Sequence, residues 1–386
     1  MAEASKSQER IALHRAVQIA FEDFDLRLKG ITDLSTSYIS GKPGGGKSQS
    51  IRAEASKRGY GYLGRNMGLE RVEYLGGIPD FKKMINEETG EEELHTVWAI
   101  PEIITNLRYL GRRHSAVVCH LMDWHLTNPQ LSAIGFEAFT DYTIKGYKLP
   151  KNVVFMLDGN DTAAAGARTQ FSAVMNRVAK IYVQTDFDYW RDAFAIPKGV
   201  MPEIISFLDA KDTRHHFHGE EDVNNPWPSP RSWTNLSSKI LGMRMSGLWE
   251  RLTHFERTQT YGSHVGIEAA SAFQTYYTIY INLNAKQIFN TGKYTIPKDP
   301  VDRFAFGSAI SSEFYNRYSD NDKKCSELYV KILADLNKNF PEIAMKSIRY
   351  VAIKDTKIIT EIARKLPEIT PLLNELHQSS VLLGRK

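Results

Sequence analysis

The sequence is poor in the features that mark secreted, membrane-spanning or strongly charged proteins. Its 386 residues include two cysteines, Cys119 and Cys325, which lie far apart and in different expected elements. They offer no disulfide framework and no zinc set, and they suit a reducing compartment. No run approaches the roughly 20 apolar residues that a membrane-crossing helix needs. The opening MAEASKSQERIALHRAV has no apolar stretch of the secretory type, so a cytoplasmic location is expected. Charge of one sign is not in excess either. The 49 basic residues against 45 acidic ones leave a formal charge of +4, which allows a nucleic-acid partner without indicating one. There is no internal repeat. The only biased tract is the acidic run from Asn86 to Glu93, which reads as a solvated loop tip.

What is present is an ordinary globular composition, 42% hydrophobic and 24% charged, in a chain long enough for two or three cooperating units. Apolar spacing predicts a helix over 6–29 stopped by Gly30, then a short strand at Ser37–Ser40 and a helix from Gln49 to Lys57. The apolar runs Ala116–Met122, Val153–Leu157 and Ala179–Val183 read as strands buried on both faces, with a helix at Pro129–Tyr142 between the first two. Strands alternating with helices predict an α/β fold with a parallel sheet flanked by helices. After about residue 195 prolines punctuate a polar stretch. The pattern then turns helical over 232–257, 264–283, 301–318 and 322–338. The expected domains are 1–195, 196–300 and 301–386.

The chemistry concentrates at Gly41-Lys42-Pro43-Gly44-Gly45-Gly46-Lys47-Ser48, followed by Gln49. Glycines let backbone N–H groups converge on phosphates without a Cβ clash, a lysine reaches the β- and γ-phosphates, and the serine hydroxyl ligates Mg²⁺. The strand before this loop and the helix after it are the context such a loop requires. Gly41, Pro43, Gly44, Gly45, Gly46, Lys47, Ser48 and Gln49 are therefore expected to hold ATP, with Ser48 on the metal.

A phosphate-binding loop of this kind also needs an acid at the end of a neighbouring strand on the metal side. Asp123, directly after the run 116–122, is the expected residue. The position after it, which would carry a water-orienting glutamate, is Trp124, and then His125. Asn160, after the strand 153–157, fits a γ-phosphate-sensing role, while Asp158 or Asp161 could replace the missing base. The alternative for Asp158-Gly159-Asn160-Asp161 is a plain turn. Arg177 and Arg231 are candidates to neutralise charge on the γ-phosphoryl group, although spacing alone does not distinguish them from surface arginines. The cluster Arg214-His215-His216-Phe217-His218 is not expected to bind a metal, since adjacent histidines in an extended segment rarely converge on one ion. Trp190, Trp227, Trp233 and Trp249 read as packing residues.

The ordered set of motifs resembles the MoxR branch of AAA+ ATPases, the phage and bacterial MoxR-like ATP-binding proteins. The stretches are Ser40–Ser48, Leu75-Gly76-Gly77-Ile78-Pro79, Thr96–Pro101, Leu126–Pro129, Gly159-Asn160, Asn176-Arg177, Pro228–Trp233 and His264–Ala270. The resemblance implies a P-loop AAA+ domain, a helical lid and an extra helical C-terminal segment. It makes Lys47 and Ser48 the Walker A contacts, Asp123 the Walker B aspartate and Asn160 sensor 1. Arg177 becomes a finger reaching a neighbour's site, and Arg231 becomes sensor 2. It further implies ATP and Mg²⁺ as cofactors, a homo-oligomeric and usually hexameric ring, and a bacterial or phage-infected cytoplasm. A partner bearing a von Willebrand factor A domain is implied, remodelled in a chaperone-like way. The absent glutamate leaves a hydrolysis-deficient assembly scaffold as an alternative, with a DNA-remodelling motor behind it.

Overall fold

The computed structural model describes residues 9–31, 36–160, 176–222, 224–320, 322, 324–365 and 367. The chain divides into two compact units, Met1–Thr185 and Asp186–Lys386.

The first unit is built on a six-stranded, all-parallel sheet. Its strands are β1 (Ile11–Ala12), β2 (Thr36–Gly41), β3 (Gly61–Asn66), β6 (Val117–Met122), β9 (Val153–Gly159) and β10 (Val178–Gln184). They run in the order β1-β10-β2-β9-β6-β3. Successive side chains alternate between the two faces. Ile39, Val118, Val154, Met156 and Val183 meet α1 (Leu13–Leu28) and α2 (Lys47–Lys57) on one face. Val117, Cys119, Leu121, Phe155 and Leu157 meet α4 (Glu102–Gly111) and α5 (Pro129–Thr140) on the other. Both faces of β6 and β9 are covered, which is why these two strands read as apolar runs, whereas β10 is mostly half-buried and carries Lys180, so its expected burial on both faces is not met.

Several features of this unit escaped the sequence pattern. Within the expected helix over 6–29, Ile11–Ala12 form β1 instead, an edge strand paired to β10, and the helix begins at Leu13. Strand β3 was hidden by its two glycines and its polar Arg65 and Asn66. Beyond β3, a short α3 (Val72–Gly76) leads into an antiparallel hairpin of β4 (Pro79–Ile85) and β5 (Glu92–Trp98), and the acidic run forms its tip. A smaller hairpin joins β7 (Thr143–Ile144) to β8 (Tyr147–Lys148).

The second unit is helical. Its main helices are α6 (Pro202–Asp209), α7 (Pro230–Met245), α8 (His254–Val265), α9 (Ile267–Asn282), α10 (Ala285–Thr291), α11 (Pro300–Ser319), α12 (Cys325–Asn339), α13 (Pro341–Lys354) and α14 (Thr356–Lys365). The helix expected over 232–257 is two. Gly247 takes a φ of 67° after α7, and Thr253 opens α8 with a capping box to Glu256. Two hydrophobic clusters fill this unit, one drawn from Phe187 to Ala305 and one from Phe306 to Ile362. Phe187 and Trp190 already belong to the first of these, so the second unit starts about ten residues before the composition shift near 195. Trp190, Trp233 and Trp249 are buried in it. Among the described residues, no helix is long and apolar enough to cross a membrane.

Candidate functional site

The glycine loop leaves the carboxyl end of β2 at the centre of the sheet, where open α/β sheets bind ligands. Each special glycine has a local cause. A Cβ on Gly41 would lie 2.7 Å from Val183 Cγ2 of the adjacent β10, so only glycine fits there. Gly44 and Gly46 take φ values of 76° and 89°, the left-handed region that glycine enters without strain. Gly46 is the N-cap of α2 and has no side chain to cap it, and a helix N-terminus of this kind is where backbone N–H groups can meet an anion.

Lys47 opens α2 and curls back over the loop. Its Nζ donates to the carbonyls of Gly41 (2.8 Å) and Lys42 (2.9 Å) and to Asn160 Oδ1 (3.1 Å). The loop lysine and Asn160 at the end of β9 are thus in direct contact. Thr185 Oγ1, just past β10, donates to Gly45 O at 3.3 Å and ties down the other side of the loop. Gln49 is exposed on the first turn of α2, and Pro43 is half-buried in the loop.

On the metal side, the Ser48 hydroxyl donates to Asp158 Oδ2 at 2.5 Å. Asp158 is 1% exposed. Its Oδ1 accepts the Asp123 N–H at 2.9 Å, and Oδ2 lies 3.0 Å from His120 Nε2. Tyr62 OH, on β3, is 2.8 Å from the other ring nitrogen of His120. Burial opposes charge on Asp158. Its contacts with His120, Ser48 and the Asp123 N–H outweigh that effect and hold the carboxyl down at about 2. Burial and the nearby Asp158 charge push the Tyr62 hydroxyl up to about 12.

Asp123 follows β6 in a left-handed conformation, with a φ of 53°, which turns the chain at the strand end. Its carboxylate accepts from Asn66 Nδ2 at 2.8 Å. Trp124 is 1% exposed and packs against Phe139, with ring centres 5.4 Å apart. A Cβ on Gly135 would come within 2.5 Å of the indole, so α5 carries glycine there to admit it. Trp124 is therefore a core residue under α5. His125 is buried too, and its Nδ1 accepts the Asn160 N–H at 3.3 Å.

Arg177 is exposed at the start of β10, and its guanidinium lies 4.3 Å from the centre of the Phe136 ring on α5. Arg231 belongs to the other unit, exposed on the first turn of α7 beneath the Ser229–Ser232 capping box. Asp161 lies outside the described residues. In that second unit His215, His216 and Glu268 bring one potential ligand atom each within 4.8 Å of one another, a convergence the extended reading of the segment did not anticipate. The segment is a 3₁₀ turn, which sets neighbouring rings side by side.

The site thus unites Lys47, Ser48, Asn160 and Asp158, with Asp123 and His125 at its border. Sequence reasoning missed His120, Tyr62 and Thr185. A histidine inside the apolar run 116–122 was the one available sign.

No family model matches the sequence, and no curated protein matches it. Among solved structures, the chain is similar to a RuvB variant from Thermotoga maritima, 11% identical, with a TM-score of 0.38 over 75% of this chain and 80% of that one. A second RuvB variant from the same organism is 12% identical, with a TM-score of 0.36 over 74% and 77%. NtrX from Brucella abortus is 14% identical, with a TM-score of 0.31 over 60% of this chain and 53% of that one. Likenesses this distant add nothing to what the chain's own geometry shows.

Proposed function

We propose that this chain is an ATP-binding P-loop protein of AAA+ type that works with Mg²⁺. One observation carries the reading. A loop with two left-handed glycines caps α2 at the end of a central parallel strand, and it places Lys47, Ser48 and Asn160 together. Phosphate oxygens would replace the carbonyls and the Asn160 oxygen that Lys47 now touches. The N–H groups at the start of α2 would hold the same anion. The donor set fits the ion as well, because a serine hydroxyl beside a buried, ionised carboxylate is an oxygen set of the kind Mg²⁺ takes. When bound, Mg²⁺ would neutralise charge on the phosphate oxygens.

The finer reading is a MoxR-type ring, and its support is the order of sequence motifs. In that ring Arg177 would complete a neighbouring site, and its exposed position on the first unit suits such a role. Arg231 would act from the helical unit as a lid arginine. A protein partner bearing a von Willebrand factor A domain would be the object remodelled.

A specific observation favours a second reading, a nucleotide-locked scaffold. The residue after Asp123 is turned into the core, and Asp123 itself is engaged by Asn66, so neither is free to orient an attacking water. Phosphate release measured alongside light scattering separates the two. Turnover that disappears in Lys47→Ala supports the ATPase. ATP-dependent assembly without phosphate release supports the scaffold. An absence of both turnover and assembly removes the ring from the account.

A further inference from the structure

We propose that the metal-side carboxylate of this site is Asp158, on the strand directly beside the loop strand, and that His120 and Tyr62 are the residues that position it. The inference rests on the nucleotide reading above. It differs from the expectation that β6 supplies this acid through Asp123.

The register of the sheet places Asp158 there. Ile39 pairs with Asp158 and Ser40 with Gly159, so the carboxylate rises next to the base of the loop, on the face that carries α2. Its oxygen meets Ser48, the loop residue whose hydroxyl is suited to the ion. A carboxylate that is 1% exposed is costly to bury unless its lone pairs are filled. Those of Asp158 are met by a hydroxyl and a backbone N–H, with an imidazole in close electrostatic contact and, among the described residues, no lysine or arginine ion pair. That arrangement keeps the charge without cancelling it, which is what a cation site needs.

The neighbouring strand shows why. His120 stands beside Asp158 on the same face of the sheet, between it and Tyr62. His120 Nε2 lies 3.0 Å from Asp158 Oδ2, a close electrostatic contact without the alignment of a hydrogen bond. On the other side of the ring, Nδ1 is within hydrogen-bonding distance of the Tyr62 hydroxyl at 2.8 Å. The order Tyr62, His120, Asp158, Ser48 is a series of close polar contacts running across three strands into α2. Asp123, by contrast, directs its carboxylate to Asn66 and contributes only its backbone N–H.

The test is the binding of a fluorescent ATP analogue to the full chain, with Mg²⁺ and with the ion chelated, in wild type, Lys47→Ala, Asp158→Asn, Asp123→Asn and His120→Gln. The readout is the ratio of the two affinities. Asp158→Asn is expected to remove the Mg²⁺ enhancement, and Asp123→Asn to reduce it less. His120→Gln should weaken the Mg²⁺ response by roughly tenfold, the scale found when an outer partner of a metal ligand is lost. Ordinary Mg²⁺ dependence in Asp158→Asn overturns the proposal, as does a larger loss in Asp123→Asn. If Asp158→Asn does not fold, an undiminished Mg²⁺ response in His120→Gln overturns it. Binding unaffected by Lys47→Ala would instead sink the nucleotide reading itself, so the two failures remain distinct.

Discussion

The hydroxyl of Ser48 and the carboxylate of Asp158 are 2.5 Å apart, and that contact joins the first turn of α2 to the strand beside the glycine loop. Through it the loop, the loop helix and β9 form one rigid frame. Asn160, two residues on and just past the same strand, reaches Lys47.

The loop's backbone is specific enough to test by a single methyl group. Gly46 holds a φ of 89°, where a side chain costs about 1–2 kcal/mol. Gly46→Ala is expected to weaken ATP binding about tenfold or more with a smaller effect on melting temperature, checked by titration calorimetry and thermal unfolding. Equal affinity would mean that the left-handed turn is not required.

Trp124 tests whether the position after Asp123 can be restored to a base. Its indole is inside the core, so Trp124→Glu should bury an unpaired carboxylate and leave a cavity. The expected cost is about 3–5 kcal/mol by denaturant unfolding, with no gain in phosphate release. A stable variant with raised turnover would contradict the placement of this side chain.

Glu137 carries a pH dependence. Burial raises its carboxyl. Hydrogen bonds from the Gly146 N–H, Thr143 Oγ1 and the Lys145 N–H, with the Lys145 charge, bring it below the ordinary value. A folded-state value below the unfolded one gives stability that is present above the unfolded value and is lost as pH falls through the folded one. Wild type should therefore lose stability relative to Glu137→Gln as the pH drops below about 4.5, and the two should differ by a constant amount above it. Parallel unfolding curves down to acid pH would refute the assignment.

In the helical unit, Asp209 joins three cations: Arg191 at 3.3 Å, Arg214 at 2.7 Å and Lys346 at 3.1 Å. Arg191 is buried and also pairs with Asp192. Asp209→Ala removes one partner of a buried pair, and chemical unfolding should report a loss of about 3–5 kcal/mol. A loss under 1 kcal/mol would show that Asp188 and Asp192 satisfy Arg191 without it.

Much of the sheet could be read directly, because strands buried on both faces are apolar throughout. The runs at 116–122 and 153–157 fall on β6 and β9, while the run at 179–183 falls on β10, a strand but a mostly half-buried one. Strand β3 could not be read, since an edge strand with Gly61, Gly64 and Arg65 carries little apolar signal. The β4–β5 hairpin was also missed, because its exposed Phe81, Ile85 and Leu94 give no clean alternation. At the site, Lys47, Ser48 and Asn160 followed from motif spacing. The Asp158–His120–Tyr62 chain depends on register across three strands, and a one-dimensional pattern does not contain register.

The most direct test of the whole account is calorimetric titration of ATP with Mg²⁺ into the full chain and into Lys47→Ala. The account predicts saturable binding at one site per chain in the wild type and its loss in the variant, with unfolding transitions that match. Equal binding by both proteins, or none by a well-folded wild type, would contradict it.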